Sequence, residues 1–410
     1  MDIHVLWAFV ICFSAVMYVI FDGFDLGVGI LLPFIRKEHQ RDTMIDSITP
    51  VWDGNETWLV LLGVGLFAGF PKAYSLLLSS LYLPFILMII SLIWRGVAME
   101  FRFVSVKRKT SWDIAFAGGS ILAAFCQGII LGDLMEGVRQ NEHAANIDTS
   151  FLFVDRFTIL IGFTLVVSFA LTGATWLNLK TSGSLQALFK TFTRRLMVFL
   201  SLTLVFVIFG RFYFRIFTPR FGIFGIPRIS SPSFLSWLAI TLAIMGSIYY
   251  TTSLKRDWIP FFLNTLMTLF SALFIVSGFW PYIVPPDLTI FDAGAPVYGN
   301  RIILVCSLVI IPVILSYFIY SYVVFRGKVT GKDNYEPILN TADNLSEPET
   351  TKYPRQVKSK PIELSWIWRI IISIAGFIFF FVVLGFLGDA VALGAIFVFG
   401  AVFCFAWFRN

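Results

Sequence analysis

Two carboxylates lie deep inside the first apolar stretch of the chain, in the segment FDGFDLGVG. Asp22 and Asp25 are three residues apart, so in a helix their side chains lie on about one face. Two close carboxylates in a low dielectric resist joint ionisation, and one of them can then hold a proton near neutral pH. Ionisable groups inside lipid are costly, so the pair is a candidate for proton handling. The alternative is that these acids only accept hydrogen bonds or pair with an arginine.

A second polar group, PVWDGNETWLV, stands at the start of the next apolar stretch. Helix capping would explain Asp53 if it stood by itself, because acids are favoured in the first turn of a helix. It does not account for Asp53, Asn55 and Glu56 followed at once by an apolar helix of lipid length. This density is typical of a water-lined proton entrance. We therefore expect Asp53 and Glu56 to act in proton entry, with Trp52, Asn55 and Trp58 in support.

A third group, WRGVAMEFR, ends the third apolar stretch and supplies the candidate countercharges Arg95, Glu100 and Arg102. Arg95 and Arg102 are seven residues apart and share a helix face, whereas Glu100 points elsewhere. An Arg95–Glu100 pair within the helix is therefore geometrically poor, and Arg95 needs a partner on another helix. The candidate partners, expected at about the same depth, are Asp22, Asp25 and Asp53.

The composition requires that these groups be positioned by membrane helices. Hydrophobic residues make up 58% of the 410-residue chain and charged residues 14%, with a mean hydropathy of +0.82, far outside soluble usage. Residues 1–5 lack a basic n-region, so we expect the first apolar stretch to stay in the mature protein. The sequence thus predicts a polytopic membrane protein.

Apolar runs of at least eighteen residues define the predicted spans. Backbone polar groups in lipid must be bonded within their own segment, and no alternating ten-residue pattern indicates a barrel, so we expect an all-α fold. Nine spans precede residue 326 and two follow it. They lie near residues 5–34, 51–70, 74–101, 113–135, 156–178, 193–214, 234–252, 259–283, 300–325, 366–387 and 390–408.

The basic residues give the orientation. Loops rich in Lys and Arg, at residues 36–37, 107–109, 180–195 and 255–256, alternate with poorer ones and belong inside, which puts the N-terminus outside. The loop between the sixth and seventh spans disagrees, because Arg211, Arg215, Arg220 and Arg228 lie on the predicted outer side. The net charge of +6 is therefore a topology signal, and a nucleic-acid partner is disfavoured.

The chain ends in two segments of different character. Residues 326–365 are polar and contain proline, which predicts a cytoplasmic linker. Residues 366–410 are apolar with a break at Gly388-Asp389-Ala390, which is long enough for an extra transmembrane hairpin. A single re-entrant element is the alternative.

Redox and metal ligands are scarce. The histidines, His4, His39 and His143, all belong at span ends or in loops. The cysteines, Cys12, Cys126, Cys306 and Cys404, lie in apolar segments without metal-binding spacing. We therefore expect no metal site, no haem held in the core by this chain alone, and no catalytic residue in the strict sense.

The motifs FDGFDLGVG, WDGNETWL and WRGVAMEFR, in this order, resemble subunit II of cytochrome bd quinol:oxygen oxidoreductases. The resemblance continues through GDLMEGV and PPDLTIFDA and covers about residues 1–330. It implies two four-helix bundles plus a peripheral helix, which we place at residues 1–140 for the first bundle and 141–325 for the second bundle with the ninth helix. The motif PVWDGNETWL resembles the cyanide-insensitive branch of this family more closely than the other branch.

The resemblance also implies a function in aerobic respiration. The expected enzyme is a heterodimer of the bacterial cytoplasmic membrane that oxidises quinol, reduces dioxygen to water and translocates protons by vectorial chemistry. Its subunit I ligates two b-type haems and one d-type haem, and subunit II ligates none. Asp53 matches the carboxylate assigned to a proton route from the cytoplasm. A quinone bound in this subunit is a further expectation, with its residues unknown.

Two alternatives and one departure from the family pattern stay open. Buried acid and arginine sets also mark proton-coupled secondary transporters, and an assembly scaffold is the purely structural reading. The family pattern ends shortly after the ninth span, so the 366–410 segment is additional. It either takes the place of a small single-span accessory subunit or shields haem-facing helices from membrane lipid.

Overall fold

The computed structural model describes residues 2–105, 108–138, 154–212 and 232–329, and helices dominate these residues. The long helices are α1 (Ile3–Leu31), α3 (Trp52–Gly69), α5 (Tyr82–Val104), α6 (Lys109–Glu136), α7 (Arg156–Lys180), α8 (Gly183–Phe212), α9 (Pro232–Thr251), α10 (Trp258–Phe279) and α12 (Val297–Val324). Short elements connect them: a 3-10 turn at Leu32–Phe34, α2 (Glu38–Asp46), α4 (Pro71–Ser80), β1 (Tyr282–Val284), β2 (Leu288–Thr289) and α11 (Ile290–Ala293).

The predicted all-α polytopic fold is confirmed. Within the described ranges, eight helices are long and apolar enough to cross a membrane, and the bent pair α3 and α4 makes a ninth if it counts as one span. The sequence did not predict the small antiparallel hairpin, in which Tyr282 lies opposite Thr289 and Val284 opposite Leu288. Its residues belong to the end of the predicted 259–283 span and the loop that follows.

The second and third predicted spans meet at a sharp break. α3 and α4 are bent by 117° because Pro71 has no backbone N–H to continue the ladder, and Phe70 before it leaves the helical region at φ −137° and ψ 66°. The third span therefore starts at Tyr82 rather than at residue 74. The carbonyl of Gly69 accepts from Ala295 N at 3.0 Å, so the freed backbone group is paired.

The centre of the fold is the crossing of α1 and α7. A β-carbon added at Gly27 would lie 2.0 Å from the carbonyl oxygen of Phe169, and one at Gly173 would lie 2.3 Å from the carbonyl carbon of Gly27. The two backbones are therefore in direct contact, as small residues allow between membrane helices. α1 also packs against α3 and α6, while α7 packs against α6, α8 and α10. The division into bundles at residue 140 stays a prediction.

The start of the predicted linker lies against the turn between α7 and α8. Val329 N donates to the carbonyl of Lys180 at 2.8 Å, and Lys328 Nζ donates to the carbonyl of Thr181 at 3.0 Å. The rest of the 326–365 linker, the 366–410 hairpin and the disagreeing arginines from Arg215 to Arg228 lie outside the described residues.

The α1–α7 crossing gives a test of packing. Gly27→Ala should lower the free energy of unfolding by about 3 kcal/mol, or prevent accumulation in the membrane, because a backbone contact cannot relax as a side chain does. The readout is the midpoint of thermal unfolding of the purified protein and its yield. Gly246→Ala is the matched control, since a β-carbon on this exposed residue of α9 meets nothing within 4 Å and should change stability by about 0.5 kcal/mol or less. Equal behaviour of the two variants would contradict the close crossing.

Candidate functional site

Arg95 on α5 lies at the centre of a buried ionic group. Its side chain reaches α1 and α3: Nη2 donates to Asp22 Oδ1 at 2.6 Å and also to Glu56 Oε1. Arg95 is 1% exposed and Asp22 is not exposed at all. We call these three residues the acid–arginine cluster. Of the three expected partners of Arg95 the structure selects Asp22, and it adds Glu56, which was not among them.

Close helix packing brings Arg95 to this place. A β-carbon at Gly119 of α6 would lie 2.7 Å from the carbonyl oxygen of Ser91 on α5, so α5 and α6 approach through their backbones. The other side of α5 is met by Trp52, whose ring would lie 3.3 Å from a β-carbon at Gly96. The first residue of α3 thus packs on α5 next to Arg95 and aligns two of the three helices that hold the cluster.

Asp25 belongs to a second buried group, which we call the Asp25 branch, together with Asn55 and Tyr322. Asn55 Nδ2 donates to Asp25 Oδ2 at 2.7 Å, and the Tyr322 hydroxyl donates to Asn55 Oδ1 at 2.8 Å. The amide of Asn55 therefore links α1 to the end of α12. The sequence placed Asn55 in a supporting role but gave no signal for Tyr322, an ordinary tyrosine near the end of an apolar helix.

Aromatic rings close the interior side of both groups. Trp58 is not exposed, and its ring packs edge-on against Phe13 and Phe318, each with ring centroids 5.7 Å apart. Beside Asp22, the Tyr18 hydroxyl accepts from Gln127 Nε2 at 2.7 Å and also interacts with the Asp22 carboxylate. These walls keep the carboxylates in a low dielectric, where charge interactions are strong.

Three polar atoms of the ionisable side chains at the site, and Trp58 Nε1 beside them, stay unpaired within the described residues. Asp22 Oδ2, Asp25 Oδ1 and Arg95 Nη1 are buried and have no hydrogen-bond partner there. Buried polar atoms are nearly always paired in folded proteins, so unpaired ones call for an explanation. Unpaired buried atoms also occur in the group of Arg41, Asp42, Arg102 and Asp113, so the proton-handling hypothesis depends on the excess of carboxylates over arginine rather than on these atoms alone.

The exposure of the acidic side chains falls from Asp53 to Glu56 on α3 and then to Asp22 on α1. Asp53 is exposed and its carboxylate accepts from Gly54 N at 2.8 Å. Glu56, one turn later, has a side chain 28% exposed, and Asp22 beyond it is fully buried. Asp53 therefore lies at the surface mouth of the site, and the expected alternative of an Arg95–Asp53 pair is not formed.

Arg102 belongs to a different ionic group. Its Nε donates to Asp113 on α6, and its Nη1 lies 2.8 Å from Asp42 Oδ1 on α2. Arg41 also reaches Asp113, at 2.9 Å. We call these residues the α2 cluster. Arg102 is therefore a countercharge for Asp113 and Asp42 rather than for the carboxylates of α1, a pairing that the sequence did not predict.

Glu100 does not join either group. The Glu100 side chain is exposed on one face of α5, whereas Arg95 and Arg102 are buried on another face of the same helix. This agrees with the helical geometry, which points Glu100 away from the arginines. Nearness in sequence on a helix does not bring side chains to one face. The part of Glu100 as a structural countercharge stays a prediction.

The site offers carboxylate, amide, hydroxyl and guanidinium groups, which suit proton exchange rather than metal ligation. Among the described residues, no group of three or more His, Cys, Asp or Glu side chains is placed to hold a metal ion. His4 Nδ1 lies 3.4 Å from Asn300 Nδ2 at the opposite end of α1, and His39 lies in α2. Neither histidine belongs to the site.

The fold and the site together define a polytopic helical membrane protein in which buried carboxylates share one arginine and open towards one end. The sequence profile described as "Cytochrome bd terminal oxidase subunit II" matches residues 3–325. The chain belongs to this family of oxidase subunits, and the transporter alternative is set aside.

Individual relatives agree with the family match. The chain is 28% identical over 346 residues to "Cytochrome bd ubiquinol oxidase subunit 2" of Bacillus subtilis (strain 168), covering 81% of this chain and 98% of the relative. It is 26% identical over 364 residues to "Cytochrome bd-I ubiquinol oxidase subunit 2" of Escherichia coli (strain K12), covering 80% and 95%.

A solved structure supports the fold. "The structure of bd oxidase from Geobacillus thermodenitrificans" superposes with a TM-score of 0.59 at 18% identity, covering 80% of this chain and 96% of that one. The family profile ends at residue 325, so residues 326–410 lie beyond it.

The ion pairs of Arg95 give a test of stability. Arg95→Met leaves Asp22 and Glu56 without their countercharge, and breaking a buried pair in this way costs about 3–5 kcal/mol. The double variant Arg95→Met/Asp22→Asn should recover part of the loss, because one stranded charge is gone. Thermal unfolding of the purified complex measures both. The half-exposed pair of Lys109 and Glu38 supplies the control, and Lys109→Met should cost about 1 kcal/mol or less. Simple addition of the losses in the double variant would contradict the pairing.

Proposed function

We propose that this chain is the non-haem-ligating subunit of a quinol:oxygen oxidoreductase of the bacterial inner membrane, and that it conducts protons from the cytoplasmic side. The observation that carries the proposal is the stepwise burial from Asp53 through Glu56 to Asp22 around Arg95. Reduction of dioxygen to water consumes protons, so the enzyme needs such a route through the hydrophobic part of the complex.

The exposed Asp53 would collect protons at the surface. Glu56 lies one turn deeper on the same helix face and touches Arg95, so it can receive a proton and pass it towards Asp22. The guanidinium of Arg95 has no acidic proton to give at physiological pH, so its role is electrostatic. It stabilises whichever carboxylate is ionised while the other carries the proton.

The charge balance favours a stored proton. Asp22, Asp25 and Glu56 are three carboxylates near one guanidinium, and full ionisation would leave excess negative charge in a low dielectric. One of the carboxyls is therefore protonated at rest in our proposal. Asp25, which faces an amide rather than the arginine, is the candidate for that proton.

The redox chemistry belongs to the partner in this proposal. Subunit I would ligate two b-type haems and one d-type haem, which transfer electrons from quinol to dioxygen, and this chain would contribute no ligand. The names of the two relatives above specify ubiquinol and that of another specifies menaquinol, so for this chain we assign only quinol as the substrate class. The proposal includes a quinone bound within this subunit, to which no residues are assigned.

Topology and accessory parts complete the proposal. The basic loops assign the N-terminus to the outside, which puts Asp53 and the α2 cluster on the cytoplasmic side. The 366–410 segment would add a transmembrane hairpin that either replaces a single-span accessory subunit or shields the complex from membrane lipid. The PVWDGNETWL motif favours the cyanide-insensitive branch.

The proton route gives a graded prediction. Glu56→Gln and Asp25→Asn should lower quinol-dependent oxygen uptake about tenfold or more, because a buried proton carrier is lost. Asp53→Asn should have a smaller effect, since water has access to the exposed mouth. Oxygen uptake is measured on the complex co-expressed with subunit I, and the haem spectrum confirms that each variant is assembled.

Glu38→Gln is the matched control, because Glu38 is an exposed acid at the same end and pairs with Lys109 outside the site. It should leave turnover unchanged. Full turnover of all three site variants with complete haem content would instead favour the assembly-scaffold alternative. Absence of any haem spectrum or oxygen uptake in the unaltered complex would overturn the oxidase assignment.

A further inference from the structure

Lys180, the last residue of α7, is a buried lysine outside the site described above. It is 7% exposed, and its Nζ donates to the carbonyl of Phe325 at 2.6 Å, with the carbonyl of Gly327 3.5 Å away. The ammonium also lies 4.9 Å from the centre of the Trp176 ring. Its contacts are thus two backbone carbonyls and one aromatic face.

These contacts make Lys180 a cap for another helix. Phe325 is the C-terminal cap residue of α12, where the last carbonyls lack partners within the helix and carry the negative end of its dipole. A buried ammonium needs compensation for its lost hydration, and the carbonyls together with the Trp176 ring provide it. Lys180 therefore binds the end of α12 to the end of α7.

The helix end that Lys180 holds carries a residue of the Asp25 branch. Tyr322 lies three residues before Phe325, and its hydroxyl donates to Asn55, which in turn donates to Asp25. The Trp176 ring contacts both Lys180 and Tyr322: its centroid lies 6.3 Å from that of the Tyr322 ring. The same ring stacks on Phe24, with the two centroids 4.1 Å apart. Movement of the end of α12 would move the Tyr322 hydroxyl.

α12 is held by one apolar face, on which Leu304, Ile311, Leu315 and Phe318 are buried in the core, and by polar contacts at its two ends. Much of its surface is exposed, as residues Ile302, Ile303, Val305, Val309, Ile310, Val313, Tyr317 and Tyr320 show. At its start, Trp7 Nε1 donates to the carbonyl of Asn300 at 3.1 Å. At its end, the Lys180 contact with Phe325 performs the same function.

We infer that Lys180 is a positioning residue for proton handling, which acts by fixing the end of α12 so that Tyr322 holds Asn55 against Asp25. The inference rests on the proposed function, because it assigns Lys180 a role in the same proton route. It adds a residue of α7, a helix that contributes no carboxylate to the site.

The test compares Lys180→Met with Tyr322→Phe and with both changes together, in the complete complex with subunit I. Each single variant should lower kcat for quinol oxidation roughly three- to tenfold, the size expected for one lost hydrogen bond, with the quinol KM and haem spectrum unchanged. The double variant should be no slower than the slower single variant, because both changes break one chain of contacts. Lys180→Arg, which keeps a cationic donor, should restore most of the turnover.

Lys190→Met is the matched control. Lys190 lies at the same end, on α8, but contacts Asp257 at 3.3 Å and the carbonyl of Leu254 at 3.5 Å rather than α12. Its replacement should leave kcat unchanged. If Lys180→Met does not assemble, Lys180→Gln, which keeps one donor, replaces it under the same criteria.

Three results would overturn the inference: Lys180→Met with unaltered kcat, losses that multiply in the double variant, or failure of both Lys180→Met and Lys180→Gln to assemble, which would make the lysine purely structural. Asp25→Asn separates the two proposals. Its full activity together with that of Glu56→Gln and Asp53→Asn would overturn the proton route itself, whereas an impaired Asp25→Asn beside a fully active Lys180→Met would overturn only the positioning role.

Discussion

The buried guanidinium of Arg95 imposes the main constraint on this fold, because a charge inside the membrane must be met by opposite charge from other helices. α1 supplies Asp22 and α3 supplies Glu56, so three helices are fixed at one point. Two acids already face one cation, and Asp25 makes three, so the group can hold a proton and is not a closed, neutral pair. Stability and proton exchange thus depend on the same few side chains.

Backbone contacts make this convergence possible. Side chains of ordinary size would hold α1, α5, α6 and α7 too far apart for a single arginine to reach two carboxylates. Gly27 and Gly173 have no side chain, so the backbones of α1 and α7 touch at their crossing. Gly119 allows the same close approach of α6 to α5 beside Arg95. The proline break after α3 acts in a complementary way, since it ends that helix at Gly69 and lets the 295–300 segment pair with its last carbonyl.

Composition and motif order were enough to predict the membrane class, the family and most helix positions, because apolar runs of lipid length leave few alternatives. They were also enough to give Arg95 a partner on another helix. They could not predict Glu56 as that partner, the Asp113 and Asp42 contacts of Arg102, or the role of Tyr322. These contacts join residues that are far apart in sequence, and only helix packing decides them. Glu100 shows the converse, since a neighbour within the motif faces the opposite way.

The arrangement separates two tasks along the chain. The first four long helices hold the carboxylates and their arginine, whereas α7 and α12 supply uncharged hydrogen-bonding and aromatic groups behind them. Lys180 is also cationic, but its ammonium donates to a carbonyl at the end of α12. It therefore lies outside the cluster of buried carboxylates. A second cation among the acids would neutralise the excess negative charge that favours a bound proton. Because Lys180 lies on α7 rather than among the acids, it can hold the end of α12 by hydrogen bonds without changing the charge balance around Asp25.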